Sequence, residues 1–153
     1  MNRLIGIDPG LVTGICSVTE FADEVTNIEH MEVDQVGLGH YMEMLYGQWR
    51  KNGARPIVIC ESFIITPQTG KNTQAPWSLE NIGIVRFFCS KAGIQLVFQT
   101  PAQAKRLASD EILKAAGMHS PSKGGHQNDA ARHVAYYLMT ELQLLQDAIR
   151  ATM

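Results

Sequence analysis

Four residues combine a reactive side chain with a telling position: Asp8, Glu61, His126 and Asp129. Asp8 closes the apolar run Leu-Ile-Gly-Ile and stands before Pro9-Gly10, and Glu61 follows the apolar run from Pro56 to Cys60. A buried strand end rarely carries an unpaired carboxylate. On neighbouring strands the two carboxylates would stand about 5 Å apart, which suits flanking two divalent ions about 3.5–4 Å apart. The cations would offset the repulsion between the acids. His126 and Asp129 are three residues apart and share one side of a predicted helix. An oxygen-rich set of this kind favours Mg2+ or Mn2+ over zinc. Each residue also has a plainer explanation. Asp8 is a reasonable turn residue, Glu61 a solvated strand end, Asp129 an acid complementing a helix dipole and His126 a helix-entry residue. His133, one turn beyond Asp129 at the edge of the same face, has two readings, a support behind the ligands and a packed helix histidine; the second is preferred and the residue is left outside the site.

The elements that must carry these residues are legible from periodicity. Strands are expected over 3–8, 13–20 and 26–33, joined by short links as an antiparallel meander. Leu38, Tyr41, Met42, Leu45 and Trp49 recur at three and four, which predicts a helix over 36–52 stopped by Gly53. Residues 56–60 form a continuous apolar run, the mark of a strand buried on both faces. A loop over 64–76, a helix over 78–92 and a strand over 94–98 follow. Thr100-Pro101-Ala102-Gln103 is a capping box with proline at the first helical position, and that helical region runs to Gly117 with a new start at Ser109. A loop at 118–125 precedes a last helix over 126–150, whose stripe is Ala130, Val134, Leu138, Leu142, Leu145 and Ile149. The order β-β-β-α-β-α-β-α implies an α/β domain: one mixed five-stranded sheet, part antiparallel meander and part parallel, with helices on its faces.

Four segments, taken in order, resemble the RuvC-type Holliday-junction resolvases, which have the RNase H-like fold. They are Ile-Gly-Ile-Asp8-Pro-Gly10-Leu-Val-Thr-Gly14, Ile-Cys-Glu61, Thr-Pro-Ala-Gln-Ala-Lys105 and His126-Gln-Asn-Asp129-Ala-Ala. The resemblance spans roughly residues 3–142. It implies that Asp8, Glu61 and Asp129 are metal ligands. His126 stands where many members have a further aspartate, although a histidine also occurs there. It implies that Lys105 lies near the scissile phosphate, where an ammonium stabilises charge growing in the transition state; a solvated helix lysine is its plainer alternative. The implied reaction is hydrolysis of DNA phosphodiester bonds at a four-way junction with two Mg2+ or Mn2+ ions per site, leaving 5′-phosphate ends. A junction has two-fold symmetry and needs paired cuts, so a homodimer is the implied enzyme. The aromatic helix 36–52 is a candidate for its surface. The family stacks an aromatic from the loop after its glutamate on a junction base. Here Phe63 follows Glu61, with core packing as its alternative, and Trp77 closes the loop.

Composition weighs mildly against a DNA partner until its distribution is seen. The 153 residues carry 13 basic and 15 acidic side chains, a net charge of −2. Residues 1–48 hold one base against eight acids, whereas residues 50–123 hold ten bases against four acids. Lys71 and Lys123 fall in irregular segments flanking proposed ligands and are candidate phosphate contacts. Three scattered cysteines with no Cys-x-x-Cys pair argue against zinc or a disulfide framework and fit a cytoplasmic protein. No apolar stretch approaches the ~20 residues of a membrane span. Rival readings are a nuclease for flaps, forks or RNA–DNA hybrids, a nucleotide-binding relative suggested by Asp8-x-Gly10-x-x-x-Gly14, and a non-catalytic binding module of the same fold.

Overall fold

Alternation decides the sheet. In β1 (Asn2–Asp8) Ile5 and Ile7 face one side while Leu4 and Gly6 face the other, and the three large side chains are fully buried. The same alternation runs through β2 (Thr13–Phe21) and β4 (Ile57–Glu61). The structure, a computed structural model, describes residues 1–52, 55–71 and 75–153. β3 (Glu24–Val33) completes the meander, and β5 (Gln95–Gln99) is the fifth strand. The sheet order is β3-β2-β1-β4-β5, antiparallel across β1, β2 and β3 and parallel across β1, β4 and β5. The mixed five-stranded sheet expected from the sequence is therefore present. The acids of β3, Glu24, Glu29 and Glu32, project from an outer edge strand, where charge discourages pairing with another sheet.

Each sheet face has its own core. On one, Ile5, Ile7, Ile15, Val58 and Cys60 pack against α1 (Gln35–Asn52) and α2 (Ala75–Ala92). On the other, Leu4, Cys16, Val18 and Ile59 pack against α5 (His126–Thr140). In the aromatic helix α1, Tyr41 is buried and Tyr46 and Trp49 are half-buried against the first core, while Val36 and Met44 are exposed. Cys16, Cys60 and Cys89 are free and buried, and burial pushes all three thiols up, Cys16 to about 12. They are inert core residues, as expected.

The helix boundaries follow local chemistry. Asp34 caps α1 through the Gly37 N–H at 2.8 Å; the expected stop at Gly53 lies outside the described residues. α2 begins at Ala75, ahead of the expected 78, with Pro76 in its first turn. The described part of the segment before it holds a 3-10 turn, Thr69–Lys71. The capping box at Thr100 forms as predicted: its N–H donates to Gln103 Oε1 at 2.8 Å and its Oγ1 accepts from the Gln103 N–H at 3.3 Å. The helical region divides into α3 (Pro101–Leu107) and α4 (Asp110–Ala115), the second capped by Ser109.

The last helix is the main departure. It ends at Thr140, and Gln143 and Leu145 take left-handed φ values of 54° and 62° before α6 (Gln146–Thr152). The Leu144 N–H closes the end of α5 on the Leu138 carbonyl at 2.8 Å. The apolar stripe suggested one helix to 150, but the chain turns back after Thr140, and Leu144, which lies off that stripe, joins Leu145 at the second core. The reversal packs both against it and lays α6 on α4.

Two glycines determine where α5 sits. A Cβ on Gly6 would overlap the Ala130 carbonyl, and one on Gly14 would overlap the His126 carbonyl. The helix backbone therefore lies directly on the β1–β2 hairpin, with its first turn over Gly14, the register partner of Asp8.

Candidate active site

Asp8 and Glu61 end the adjacent parallel strands β1 and β4, whose register runs to Ile7 opposite Cys60. Ligand sites in α/β sheets open at such carboxyl ends. The close contact at Gly14 brings the start of α5 to the same edge: His126 Nδ1 lies 3.1 Å from Asp8 Oδ2. Asp129 follows one helical turn later and is half-buried. Sequence positions 8, 61, 126 and 129 thus meet at one end of the sheet.

The acids share one field. The Asp8 carboxyl is pushed up from 3.8 to about 6, first by burial and then by the negative charge of Glu61; the His126 hydrogen bond lowers it, Asp129 raises it and the His126 charge lowers it. Each carboxylate has its own partner. Asp8 has His126, Glu61 accepts from His133 Nε2 at 2.9 Å, and Asp129 accepts from Arg132 Nε at 3.2 Å. Arg132 also donates to the Ala108 carbonyl at 2.8 Å and pairs with Asp110, tying α5 to the end of α3.

The turn after Asp8 is fastened by α2. Ser78 Oγ donates to the Pro9 carbonyl at 3.0 Å, and Asn81 Nδ2 reaches the Gly10 carbonyl at 2.7 Å and Thr13 Oγ1 at 3.1 Å. Both side chains are buried. This polar latch was not read from the sequence, because Ser78 and Asn81 carry no motif and their partners, two backbone carbonyls and the Thr13 hydroxyl, lie some seventy residues away.

His133 is packed in the helix face, as the preferred reading of the sequence has it, and it also touches a candidate ligand. It is buried, but its ring bridges Gln99 and Glu61. The one available signal was its spacing, four residues after Asp129 and seven after His126, on the helix face that carries the candidate ligands.

The other predicted residues lie around this centre. Lys105 is exposed on α3, Lys71 is exposed in the 3-10 turn, and Lys123 is exposed in the loop before α5. Among the described residues no hydrogen bond or ion pair ties these lysines to the carboxylates. Phe63 is half-buried, packs against the first core and lines an open groove with Leu79, Ile82, Arg86 and Phe98.

The donor set suits a hard divalent cation in its chemistry. It holds three carboxylates and an imidazole, and one of the carboxylates is buried where a nearby cation would relieve it. It is not a ready-made cage: among the described residues no three His, Cys, Asp or Glu side chains converge on one point. The partners of Glu61 and Asp129 hold those side chains in place in the absence of an ion.

Comparison with solved structures identifies the fold. The chain is similar to the structure titled T. thermophilus RuvC in complex with Holliday junction substrate, with a TM-score of 0.65 and 18% identity over 90% of this chain and 94% of that one. It is similar to a second Thermus thermophilus RuvC structure, with a TM-score of 0.62 and 17% identity over 91% and 96% of the two chains. The fold is therefore that of RuvC, in the RNase H-like class, along nearly the whole of both chains. No protein-family model and no curated protein matches the sequence.

Proposed function

We propose that this protein is a divalent-metal-dependent endodeoxyribonuclease that resolves four-way DNA junctions. The observation that carries the proposal is the meeting of Asp8, Glu61, His126 and Asp129 at the carboxyl end of β1 and β4, on a fold shared with a RuvC solved with a Holliday junction substrate.

Asp8, Glu61, Asp129 and His126 would hold two Mg2+ or Mn2+ ions. When bound, such ions activate water and stabilise the charge on the departing 3′ oxygen. The protein's share of the work is positional. A proton on His126 Nδ1 directed at Asp8 Oδ2 leaves Nε2, on the open side of a half-exposed ring, as a lone-pair donor. Buried Asp8 supplies negative charge where water cannot screen it. Lys105, beyond the end of β5, supplies positive charge toward the scissile phosphate. Lys71 and Lys123 flank the centre as phosphate contacts, and Phe63 is the candidate for stacking on a junction base. Two copies acting on the two symmetric strands make the paired cuts, so the working form is a homodimer.

The test is a panel of labelled four-way junction, fork, flap, RNA–DNA hybrid and linear duplex, with Mg2+ or Mn2+. Symmetric cutting of the junction in preference to the others is expected. Equal cutting of flaps and junctions would remove the junction assignment and leave a nuclease. No cutting of any substrate, with both metals supplied, would remove the nuclease as well.

A further inference from the structure

The face of α5 that meets the sheet is apolar, with Ala130, Val134 and Leu138 fully buried. Three polar residues of the helix are buried as well, Gln127, Asn128 and His133, and His133 lies deepest, at 1% exposure. A leucine there would bury without a polar penalty, whereas a histidine loses hydration on two nitrogens and must recover it in hydrogen bonds. Both nitrogens are used: Nδ1 lies 2.9 Å from Gln99 Oε1, and Nε2 lies 2.9 Å from Glu61 Oε2. Gln99 is itself buried at the end of β5, and its carbonyl accepts from the Ser62 N–H at 2.8 Å, directly after Glu61. The ends of β4 and β5 and the middle of α5 are thus closed around one carboxylate.

The chemistry of the contact defines the proton. An ionised carboxylate offers lone pairs only, so Nε2 carries a hydrogen. The Gln99 amide can present its oxygen or, turned over, its nitrogen, so it satisfies Nδ1 whether or not that atom is protonated. The constant element is an N–H from His133 aimed at Glu61.

We infer that His133 is a positioning residue: its Nε2–H pins one oxygen of Glu61 and leaves the other to the cluster shared with Asp8, so that Glu61 meets a cation already oriented. The inference rests on the metal-site reading above. The residue touches neither substrate nor the reacting atoms and acts only through Glu61, as outer hydrogen-bond partners of metal ligands do.

The test uses the full chain and Mn2+ alone, followed by calorimetric titration, with His133→Leu and His133→Gln. Leucine fills the space without a donor, and glutamine restores an N–H toward Glu61. The expected result is a loss of Mn2+ affinity of roughly 10–100-fold in H133L, most of it recovered in H133Q. Wild-type affinity in H133L, or an equal loss in both variants, would overturn the inference. A second measurement needs no variant: long-range proton–nitrogen NMR of the metal-free wild-type protein reports which ring nitrogen is protonated. A protonated Nε2 is expected, and a bare Nε2 overturns the inference even where a variant fails to fold. A wild-type chain that binds no Mn2+ would overturn the metal-site reading and this inference together, whereas normal binding in H133L overturns this inference alone.

Discussion

His126 Nδ1 lies 3.1 Å from Asp8 Oδ2, joining the first turn of α5 to the end of β1 across 118 residues of sequence. The contact exists because Gly14, opposite Asp8, has no side chain to hold the helix off. One edge of the sheet thereby brings together residues from the first and last thirds of the chain.

A buried acid at this point is a liability without a cation. Asp8 is held near 6 instead of 3.8, so its protonated form is favoured in the folded state. The associated stability is present at low pH and is lost as the pH rises from about 4 through 6. At neutral pH the cost is about 3 kcal/mol at most. Asp8→Asn should therefore be more stable than wild type by about 1–3 kcal/mol at pH 7.5 in chelator, and the two should converge below pH 4. Adding Mn2+ should raise the Tm of wild type alone, and the variant should not cleave junctions. Urea unfolding at the two pH values checks the first part, and an unchanged midpoint at pH 7.5 would refute it.

The glycines under α5 should be intolerant of even a methyl group. Gly14→Ala and Gly6→Ala each meet a helix carbonyl, which cannot swing aside as a side chain can. Each should cost about 1–3 kcal/mol, with Gly14→Ala also reducing cleavage by displacing His126. Gly39 and Gly47 in α1 have open space around the missing Cβ. Gly39→Ala should stabilise by about 0.5–1 kcal/mol. Chemical denaturation of the three variants decides the matter, and a well-tolerated Gly14→Ala would contradict this account of α5.

The latch from α2 should matter to both folding and chemistry. Asn81→Leu removes the donor to the Gly10 carbonyl and Thr13 Oγ1 and leaves those two groups only their long mutual contacts, at 3.3 and 3.4 Å. A loss of about 0.5–1.5 kcal/mol is expected, with slower cleavage because the turn after Asp8 is released. Single-turnover cleavage at saturating protein isolates the second effect, and a wild-type rate would show that the latch is structural only.

Lysines proposed as phosphate contacts should be visible in salt dependence. Lys71→Ala and Lys123→Ala should each reduce the slope of log affinity against log salt by about 0.9. Junction binding measured in chelator over a range of salt concentrations checks this separately from catalysis. An unchanged slope removes that lysine from the interface.

Local signals carried much of this protein. The strand alternation, the capping box at Thr100 and the restart at Ser109 depend on neighbours within four residues, and each appeared where the sequence placed it. So did the mixed sheet, since short links impose antiparallel pairing and helical crossovers impose parallel pairing. The end of α5 shows the limit of periodicity. A leucine stripe is the same pattern whether the helix continues or turns back, and only the second core favoured the turn.

The sequence by itself determined which side chains are chemically able, and that Asp8, Glu61 and Asp129 fall at element ends where buried acids need partners. It also determined a charge split that an overall −2 conceals. Tertiary structure alone decided how those residues are held: Gly14 under His126, Asn81 behind the turn after Asp8, and His133 against Glu61. The physical reason is the same in all three. Each contact joins residues about seventy or more positions apart, through backbone atoms or a buried ring nitrogen, and neither leaves a spacing or a composition from which it can be read.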